Sequence, residues 1–267
     1  MAVLDIFFEA ESMARTVDVK AVVPNDLRSE NKAGNPAYDR AMKTLILLHG
    51  FGGHSGDWLY KSLAQRMAVK YNIAVFMPSG ENRFYLDAPG MGQAYGTFVG
   101  KELPDYLQRT FHLSGRREDT YIGGLSMGGF GAIHTGYAFP ETFGGIFALS
   151  SALIIHDIAG MKESCTDMLA DYAYYRSVFG NLDMLEASEK NPEVLIQNLQ
   201  AEGKSLPGLY MACGTEDPLR TNNRAFDSFL RKSGVRNYEY REYPGAHDWE
   251  FWTEHLEEAL LWLFENV

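Results

Sequence analysis

The 267-residue sequence predicts a doubly wound α/β fold built on a mainly parallel sheet. After residue 43, short apolar runs alternate with helical patterns, as expected when crossover helices connect parallel strands. Several of these runs are apolar throughout, which is typical of strands covered on both faces. The length and the 46% hydrophobic composition suffice for one substantial core, so we expect a single domain over residues 1–267.

The predicted elements follow from the periodicity of apolar residues along the chain. Strands are predicted at 6–8, 16–23, 44–48, 73–77, 120–122, 145–149, 209–213 and 238–243. Helices are predicted at 56–69, 97–110, 127–138, 221–233 and 250–265. The polar segment 25–42, with its Pro, Asn and Gly residues, is expected to be a loop.

Residues 151–206 interrupt this alternation. Some 55 residues separate two predicted strands there, which is longer than a normal crossover. The segment contains short helical patterns, such as that at 168–172. Ligands bind at the carboxyl edge of open α/β sheets, so we expect the insertion to form a lid or a pocket wall there. The alternative is a surface excursion that does not contact the substrate.

Ser126 is the candidate nucleophile. Residues 124–128 read GLSMG, a G-x-S-x-G pattern between a β-prone segment and a small-residue run that can open a helix. This strand, turn and helix context is what a nucleophile elbow requires. Glycines on either side lack Cβ atoms, so the backbone can turn sharply and project the serine Oγ. The alternative is a glycine-rich turn with a solvated serine.

His247 is the predicted general base, because a serine hydroxyl needs a base within hydrogen-bond reach. It lies in a Pro-Gly turn directly after the last predicted strand. Three other histidines follow Ser126 in the sequence. We expect His134 to be structural and His255 to be a solvated or capping residue of the last helix, whereas His156 could line the pocket.

The base in turn needs an acid that holds its tautomer, and in this chain order the acid lies between the serine and the histidine. Glu216 and Asp217 both follow the strand 209–213. Asp217 is preferred for its position just before Pro218, and its alternative role is to cap the next helix. Asp248 adjoins the histidine in sequence and would face the wrong way.

Two backbone N–H groups are needed to stabilise a tetrahedral oxyanion. The N–H of Met127, at the start of the helix after the elbow, is one candidate. The glycine-rich loop 49–53 (HGFGG) follows the first buried strand and is expected to supply the other. We assign this donor to the Phe51 N–H, with Gly52 as the alternative, and expect His49 to brace the loop.

Composition and charge narrow the classes of partner. A net charge of −11 would repel polyanions, so no nucleic acid and no membrane partner is expected. Two cysteines provide neither a disulfide framework nor a zinc motif, and we expect no metal and no cofactor. Without a signal-peptide pattern or an apolar run of membrane-spanning length, a cytoplasmic protein is expected. The sequence does not decide whether the protein forms a homo-oligomer.

Six motifs occur in order and together resemble the esterase D group of α/β-hydrolases, particularly its bacterial tributyrin-esterase-like carboxylesterases. The resemblance spans about residues 4–265. The motifs are LLHGFGG at 47–53, MPSG at 77–80, ELP at 102–104, GLSMGG at 124–129, CGTED at 213–217 and GAHDW at 245–249. Relatives of this group include S-formylglutathione hydrolases, mycolyltransferases, and the acetyl xylan and feruloyl esterases of carbohydrate esterase family 1.

The resemblance implies an α/β-hydrolase fold, ester hydrolysis and catalytic roles for Ser126, Asp217 and His247, with backbone donors at Phe51 and Met127. We therefore expect a serine carboxylesterase that hydrolyses short acyl esters through an acyl-enzyme. Its substrate would be a small-molecule or carbohydrate-linked ester. The alternatives are an acetyl xylan or feruloyl esterase and an S-formylglutathione hydrolase.

The substrate itself is left open by the sequence. The segments expected to set it are 151–206 and the loop 79–92. Candidate pocket residues are Trp58, Tyr85 and His156, although Trp58 could instead pack against the next helix. A non-catalytic binding protein on the same fold is the second class considered, but such proteins usually lose the serine, the histidine or the elbow glycines, which are all present here.

Overall fold

In the computed structural model, which describes residues 1–167 and 169–267, the centre is an eight-stranded sheet. The strand order is β1-β2-β4-β3-β5-β6-β7-β8. The strands are β1 (Ala2–Ala10), β2 (Arg15–Val23), β3 (Lys43–Leu48), β4 (Ile73–Pro78), β5 (Thr120–Leu125), β6 (Gly145–Leu149), β7 (Gly208–Gly214) and β8 (Tyr238–Tyr243). From β3 onward all pairs are parallel, whereas β2 is antiparallel to both β1 and β4. This confirms the predicted mainly parallel sheet.

Helices lie in the connections from β2 to β8, and one more follows β8. They are α1 (Ser29–Lys32), α2 (Asp57–Lys61), α3 (Ala64–Tyr71), α4 (Tyr95–Thr97), α5 (Leu103–Phe111), α6 (Met127–Ala138), α7 (Ile155–Ile158), α8 (Tyr172–Phe179), α9 (Pro192–Ala201), α10 (Arg220–Lys232) and α11 (Trp249–Asn266). Short 3₁₀ turns occur at Pro36–Tyr38, Arg117–Asp119 and Leu182–Ala187. Each of the five predicted helices is present, and Met168, at the start of the helical pattern predicted at 168–172, lies outside the described residues.

Three boundaries differ from the prediction. The predicted helix 56–69 is divided at Ser62, where the chain is extended and the Ser62 Oγ accepts from the Ala64 N–H at 3.1 Å. The predicted helix 97–110 includes a π-helical turn at Phe98–Glu102, just before Pro104, which has no N–H to donate to the preceding turn. The predicted loop 25–42 contains α1 and a 3₁₀ turn.

Both faces of the sheet are covered. Along β3, Leu45 and Leu47 pack into one core with residues of α2, α3 and α11. Their neighbours Ile46 and Leu48 pack into the other core with residues of α5, α6 and α10. Because side chains alternate between the faces of a strand, an entirely apolar strand is stable only with helices on both sides. This is the expected doubly wound architecture.

The carboxyl ends of six adjacent parallel strands, β4, β3, β5, β6, β7 and β8, lie along one edge of the sheet. The register places Leu48 beside Gly124, and Gly214 beside Tyr243. Loops that are far apart in sequence therefore begin side by side at this edge. Within the described part of the chain, no helix has both the length and the apolar character needed to span a membrane.

Candidate active site

Ser126 lies at the tight turn between β5 and α6. Its backbone has φ 54° and ψ −119°, a left-handed conformation that is strained for a residue with a side chain. The turn is held by the Ser126 N–H, which donates to the Leu149 carbonyl of β6 at 2.9 Å. A Cβ on Gly124 would collide with the backbone of Gly128, so the turn is tight enough to require glycine. The predicted elbow geometry is therefore present.

His247 bridges the serine and an aspartate. Its Nε2 lies 3.0 Å from the Ser126 Oγ, and its Nδ1 lies 2.8 Å from an Asp217 carboxylate oxygen. A carboxylate only accepts, so Nδ1 carries the proton and Nε2 presents its lone pair to the serine hydroxyl. The structure thus brings together three residues that the sequence separates by 91 and 30 positions.

Asp217 is buried and its second oxygen is also occupied, since it accepts from the Leu219 N–H at 2.8 Å. Burial opposes ionisation of this carboxyl, but the hydrogen bond from His247, together with the nearby Ser150 hydroxyl, outweighs that effect and holds its pKa below the usual value. The Ser150 hydroxyl in turn accepts from the Trp252 indole N–H at 3.1 Å. Asp217 is consequently a fixed, ionised partner for the histidine.

Sequence reasoning missed Ser150 and Trp252. Ser150 follows β6 with φ 49°, and its N–H donates to the Ala212 carbonyl at 2.8 Å. The Trp252 ring stands edge-on to His247, with ring centroids 5.0 Å apart. A serine at the carboxyl end of β6, beside the β7 end that carries the acid, was the available signal.

The other acids considered have different positions. Glu216 is exposed, and its N–H donates to the Gly245 carbonyl at 2.9 Å. Asp248 caps α11, accepting from the Phe251 N–H at 3.0 Å, and so faces away from the histidine as expected. Only Asp217 among these three contacts the His247 ring in the described structure.

The two predicted oxyanion donors lie at the ends of neighbouring strands, β3 and β5. The N–H groups of Met127 and Phe51 donate to no acceptor within the described residues. By contrast, the alternative donor Gly52 is occupied, because its N–H donates to the Asn82 Oδ1 at 2.7 Å. A Cβ on Gly50 would lie 3.4 Å from the Ser126 Cβ, which places this loop directly against the serine.

His49 braces the same loop. Its Nε2 accepts from the Gly80 N–H at 2.9 Å, so its Nδ1 carries the proton and donates to the Gly50 carbonyl at 2.7 Å. Burial lowers the pKa of His49, which favours this neutral form. Its role is to hold the loop rather than to exchange protons with substrate.

Comparison with known proteins identifies the family. Residues 11–263 match the model of the Esterase family ("Putative esterase"). An acetyl esterase of Caldicellulosiruptor saccharolyticus is 41% identical over 263 residues, which cover 98% of this chain and 98% of that protein. The chain belongs to this esterase family. It is a carboxylic ester hydrolase, as predicted.

The fold of this esterase is similar to those of two Staphylococcus aureus proteins. The fluorophosphonate-binding serine hydrolase FphF has a TM-score of 0.83 at 24% identity, over 98% of both chains. The S-formylglutathione hydrolase FrmB has a TM-score of 0.81 at 25% identity, also over 98% of both. These similarities confirm the predicted α/β-hydrolase fold.

The structure corrects two of the three predicted pocket residues of the esterase. Trp58 is 1% exposed and its indole N–H donates to the Leu48 carbonyl at 2.8 Å, so it packs beneath the sheet edge. Tyr85 is fully buried and its hydroxyl donates to the His49 carbonyl at 3.2 Å. Both side chains support the loop from inside the core, and neither of them lines a substrate pocket.

His156 has a different setting. It is half-exposed between Glu186 and Glu193, at 2.8 and 3.2 Å, and the pair of carboxylates raises its pKa. The surface cleft that it lines contains Pro192 and Asn222, with none of the predicted catalytic residues among its described lining. A contact of His156 with substrate is not supported by this arrangement.

His255 also differs from its prediction. It is 8% exposed, and its ring stacks on Tyr243 with centroids 4.2 Å apart. The prediction of a solvated or capping residue is wrong because position 255 shares the inward face of α11 with Phe251, four residues earlier. His134, which was expected to be structural, is half-buried on α6 with its Nε2 2.9 Å from the Glu189 carbonyl oxygen, and desolvation lowers its pKa to about 4.

The 151–206 segment is divided between two locations. Its last helix, α9, packs on α6 and serves as the crossover to β7. Its helix α8 lies near the 49–53 loop, where the Tyr174 ring packs edge-on against Phe51 at 5.7 Å. The Arg83 guanidinium also donates to the Ser177 hydroxyl of α8 at 3.0 Å. A lid role for this segment remains a prediction.

Proposed function

We propose that this esterase hydrolyses short-chain acyl esters, acetyl esters foremost, through Ser126 and an acyl-enzyme. The observation that carries the proposal is the continuous hydrogen-bonded series from Asp217 through His247 to the Ser126 Oγ. The choice of acyl group is supported by the 41% identical relative, which is named acetyl esterase. A chain of nucleophile, base and orienting acid is the arrangement that acyl transfer through a serine requires.

In the acylation step, the His247 Nε2 takes the proton of the Ser126 hydroxyl as Oγ forms a bond to the ester carbonyl carbon. The carbonyl oxygen becomes an oxyanion, which the Phe51 and Met127 N–H groups stabilise. The intermediate then collapses, the bond from carbon to the alcohol oxygen breaks, and the alcohol leaves with the proton from Nε2. Asp217 stabilises the imidazolium that forms in between.

Deacylation repeats these steps with water. His247 takes a proton from the water as the water oxygen attacks the acyl carbon. The second oxyanion accepts hydrogen bonds from the same two N–H groups. The bond between the acyl carbon and the Ser126 Oγ then breaks, and Oγ recovers the proton from Nε2. The free carboxylic acid leaves and the enzyme returns to its starting protonation state.

Preorganisation of these groups explains why the site would be effective. The strained φ of Ser126, the left-handed Gly52 and the ionised Asp217 are in place before substrate binds. Donors that are already oriented need no reorganisation in the transition state. The Met127 N–H also lies at the first residue of α6, where the helix dipole favours negative charge.

The test is hydrolysis of p-nitrophenyl esters from acetate to decanoate, with methyl ferulate, acetylated xylan and S-formylglutathione alongside. We expect the highest kcat/KM with acetate or its near neighbours. Ser126→Ala should lower turnover by a factor on the order of 10⁶, judging by another serine hydrolase. Ser228→Ala is the matched control, because Ser228 is exposed on α10 and its hydroxyl bonds, among the described residues, only to the Arg224 carbonyl.

Different outcomes separate the alternatives. Substantial activity in Ser126→Ala would contradict the assignment of the nucleophile. Activity that favours methyl ferulate or acetylated xylan would move the substrate to plant polysaccharide esters, and activity confined to S-formylglutathione would make the enzyme a thioesterase. Inactivity on every substrate, with no covalent labelling of Ser126 by a fluorophosphonate, would contradict the proposed function altogether.

A further inference from the structure

Asn82 contacts the loop that carries one predicted oxyanion donor. The Gly52 N–H donates to the Asn82 Oδ1 at 2.7 Å, and Gly52 has φ 73°. This bond occupies the Gly52 N–H, whereas the neighbouring Phe51 N–H has no acceptor in the part of the chain that the structure describes. An acceptor placed there fixes the peptide plane between Phe51 and Gly52. The Phe51 N–H belongs to the preceding peptide, which is joined to this plane at the Phe51 Cα, so fixing the one plane limits how far the other can rotate.

The bond from Asn82 is one of several between two loops. From the segment 80–85, the Gly80 N–H donates to the His49 Nε2, and the Tyr85 hydroxyl donates to the His49 carbonyl. These contacts hold the start of the 49–53 loop, where the His49 Nδ1 and the Gly53 N–H also donate to the Gly50 carbonyl, whereas Asn82 holds the peptide between Phe51 and Gly52. Removing Asn82 would therefore release the Phe51–Gly52 peptide and leave the anchored end in place.

Segment 80–85 is itself strained. Glu81, Phe84 and Tyr85 have φ values of 46°, 52° and 54°, all in the left-handed region that side chains disfavour. Strain of this kind persists only where the surrounding structure enforces it, and it concentrates at functional sites.

The insertion supplies one of the enforcing contacts. Tyr174 of α8 donates its hydroxyl to the Asn82 backbone carbonyl at 2.6 Å, while its ring packs against Phe51. Burial raises the pKa of Tyr174, so its hydroxyl keeps the proton that it donates. Tyr174 thus contacts both the residue that holds the loop and the residue that carries the free N–H.

We infer that Asn82 is a positioning residue for the oxyanion hole. Tyr174, through its contacts with Asn82 and Phe51, couples the position of the insertion to the position of the oxyanion hole. The inference rests on the proposed function, because it assumes that the Phe51 N–H stabilises an oxyanion. Neither side chain needs to touch the substrate. Both act by keeping one backbone donor where charge develops in the transition state.

The experiment compares Asn82→Leu, which has similar volume but no acceptor, with Asn82→Asp, which keeps one. Tyr174→Phe removes only the hydroxyl. The matched controls are Asn181→Leu and Tyr38→Phe, which remove bonds of the same kind, to the Asp183 N–H and to the Val69 carbonyl, away from Ser126. For each variant, kcat and KM are measured on p-nitrophenyl acetate, with thermal unfolding and the Ki of a boronic acid that mimics the tetrahedral intermediate.

We expect Asn82→Leu to lower kcat by about 10–100-fold, with KM within about threefold, because misplacing a donor by an ångström is costly. The boronic acid Ki should rise by a similar factor. Asn82→Asp should recover part of kcat, short of wild type because its charge opposes the oxyanion. Tyr174→Phe should lower kcat by about threefold to tenfold, and the controls should match wild type.

The inference is overturned if Asn82→Leu and Tyr174→Phe both keep kcat and the boronic acid Ki within twofold of wild type. It is also overturned if their losses appear in KM alone. If Asn82→Leu does not fold, Tyr174→Phe decides by the same criteria. Failure of the proposed function looks different, because wild type would then be inactive on esters or Ser126→Ala would stay active.

Discussion

Gly128 is the position at which one added methyl group should do most damage to the site. It is the last glycine of the G-x-S-x-G motif and lies in the first turn of α6. A Cβ built on Gly128 would be 2.6 Å from the His49 carbonyl oxygen and closer still to that of Leu48. These oxygens belong to the end of β3 and the start of the oxyanion loop, so Gly128→Ala pushes the elbow away from that loop.

The size of the effect of Gly128→Ala follows from how far the added Cβ overlaps these two oxygens. Ordinary contact begins near 3.4 Å, so the helix and the loop must separate by roughly 1 Å. Backbone atoms cannot avoid the clash by changing rotamer, and overpacking of this kind costs about 1–3 kcal/mol of stability. A displacement of that size between the nucleophile and a donor should cost on the order of 10²-fold in kcat.

Gly136→Ala in the same helix is the matched control. Its added Cβ would meet the Ile146 side chain, which can adjust, and it lies nearly three turns from the serine. Kinetics on p-nitrophenyl acetate and thermal unfolding of both variants are compared with wild type. We expect both to lose some stability but only Gly128→Ala to lose turnover. A Gly128→Ala enzyme with kcat within threefold of wild type would refute the reasoning.

Two further predictions concern charged groups. Asp217→Asn should lower kcat on the order of 10⁴, as in a serine protease, because an amide no longer enforces the tautomer of the histidine. The kcat of Asp248→Asn should stay within about threefold of wild type, since Asn caps a helix equally well. A comparable loss of kcat in both variants would contradict the assignment of Asp217 as the acid. Hydrogen bonds from Arg224 and Arg220 lower the pKa of Glu242 to about 2. A carboxyl with a lowered folded-state pKa stabilises the fold above its unfolded pKa, so this contribution is present at pH 7 and is lost as the pH falls from about 5 toward 2. Glu242→Gln should therefore lower the free energy of unfolding, measured with urea at pH 7, by about 1–2 kcal/mol, a figure discounted for the partial exposure of Glu242. The loss should be smaller at pH 3, and an equal loss at both pH values would refute this prediction.

The sequence was most informative where structure is local. The period-two and period-3.6 patterns depend on neighbouring residues, and the strands and helices that they predict are present with shifts of a few positions. The elbow at Ser126 is equally local, because its geometry follows from glycines within two residues. The order of serine, acid and histidine then limited the partners to the ends of later strands.

Burial could not be predicted in the same way. Trp58 and Tyr85 are aromatic residues near the predicted site, and either could have faced the substrate. The structure places both in the core because acceptors for their polar atoms, the Leu48 and His49 carbonyls, lie behind the loop. His255 shows the same limit, since its burial depends on Tyr243 from the adjacent strand.

By itself, the sequence determined the sheet, its covering helices and the residues able to act as nucleophile, base and acid, since these depend on periodicity, glycine geometry and chain order. Only the tertiary structure decided which groups complete the site. Asn82 occupies the Gly52 N–H, and the Ser150 hydroxyl helps to lower the pKa of Asp217, from segments 30 and 67 positions away in the chain. Such partners are set by the packing of distant loops at one edge of the sheet, and no local pattern encodes that packing.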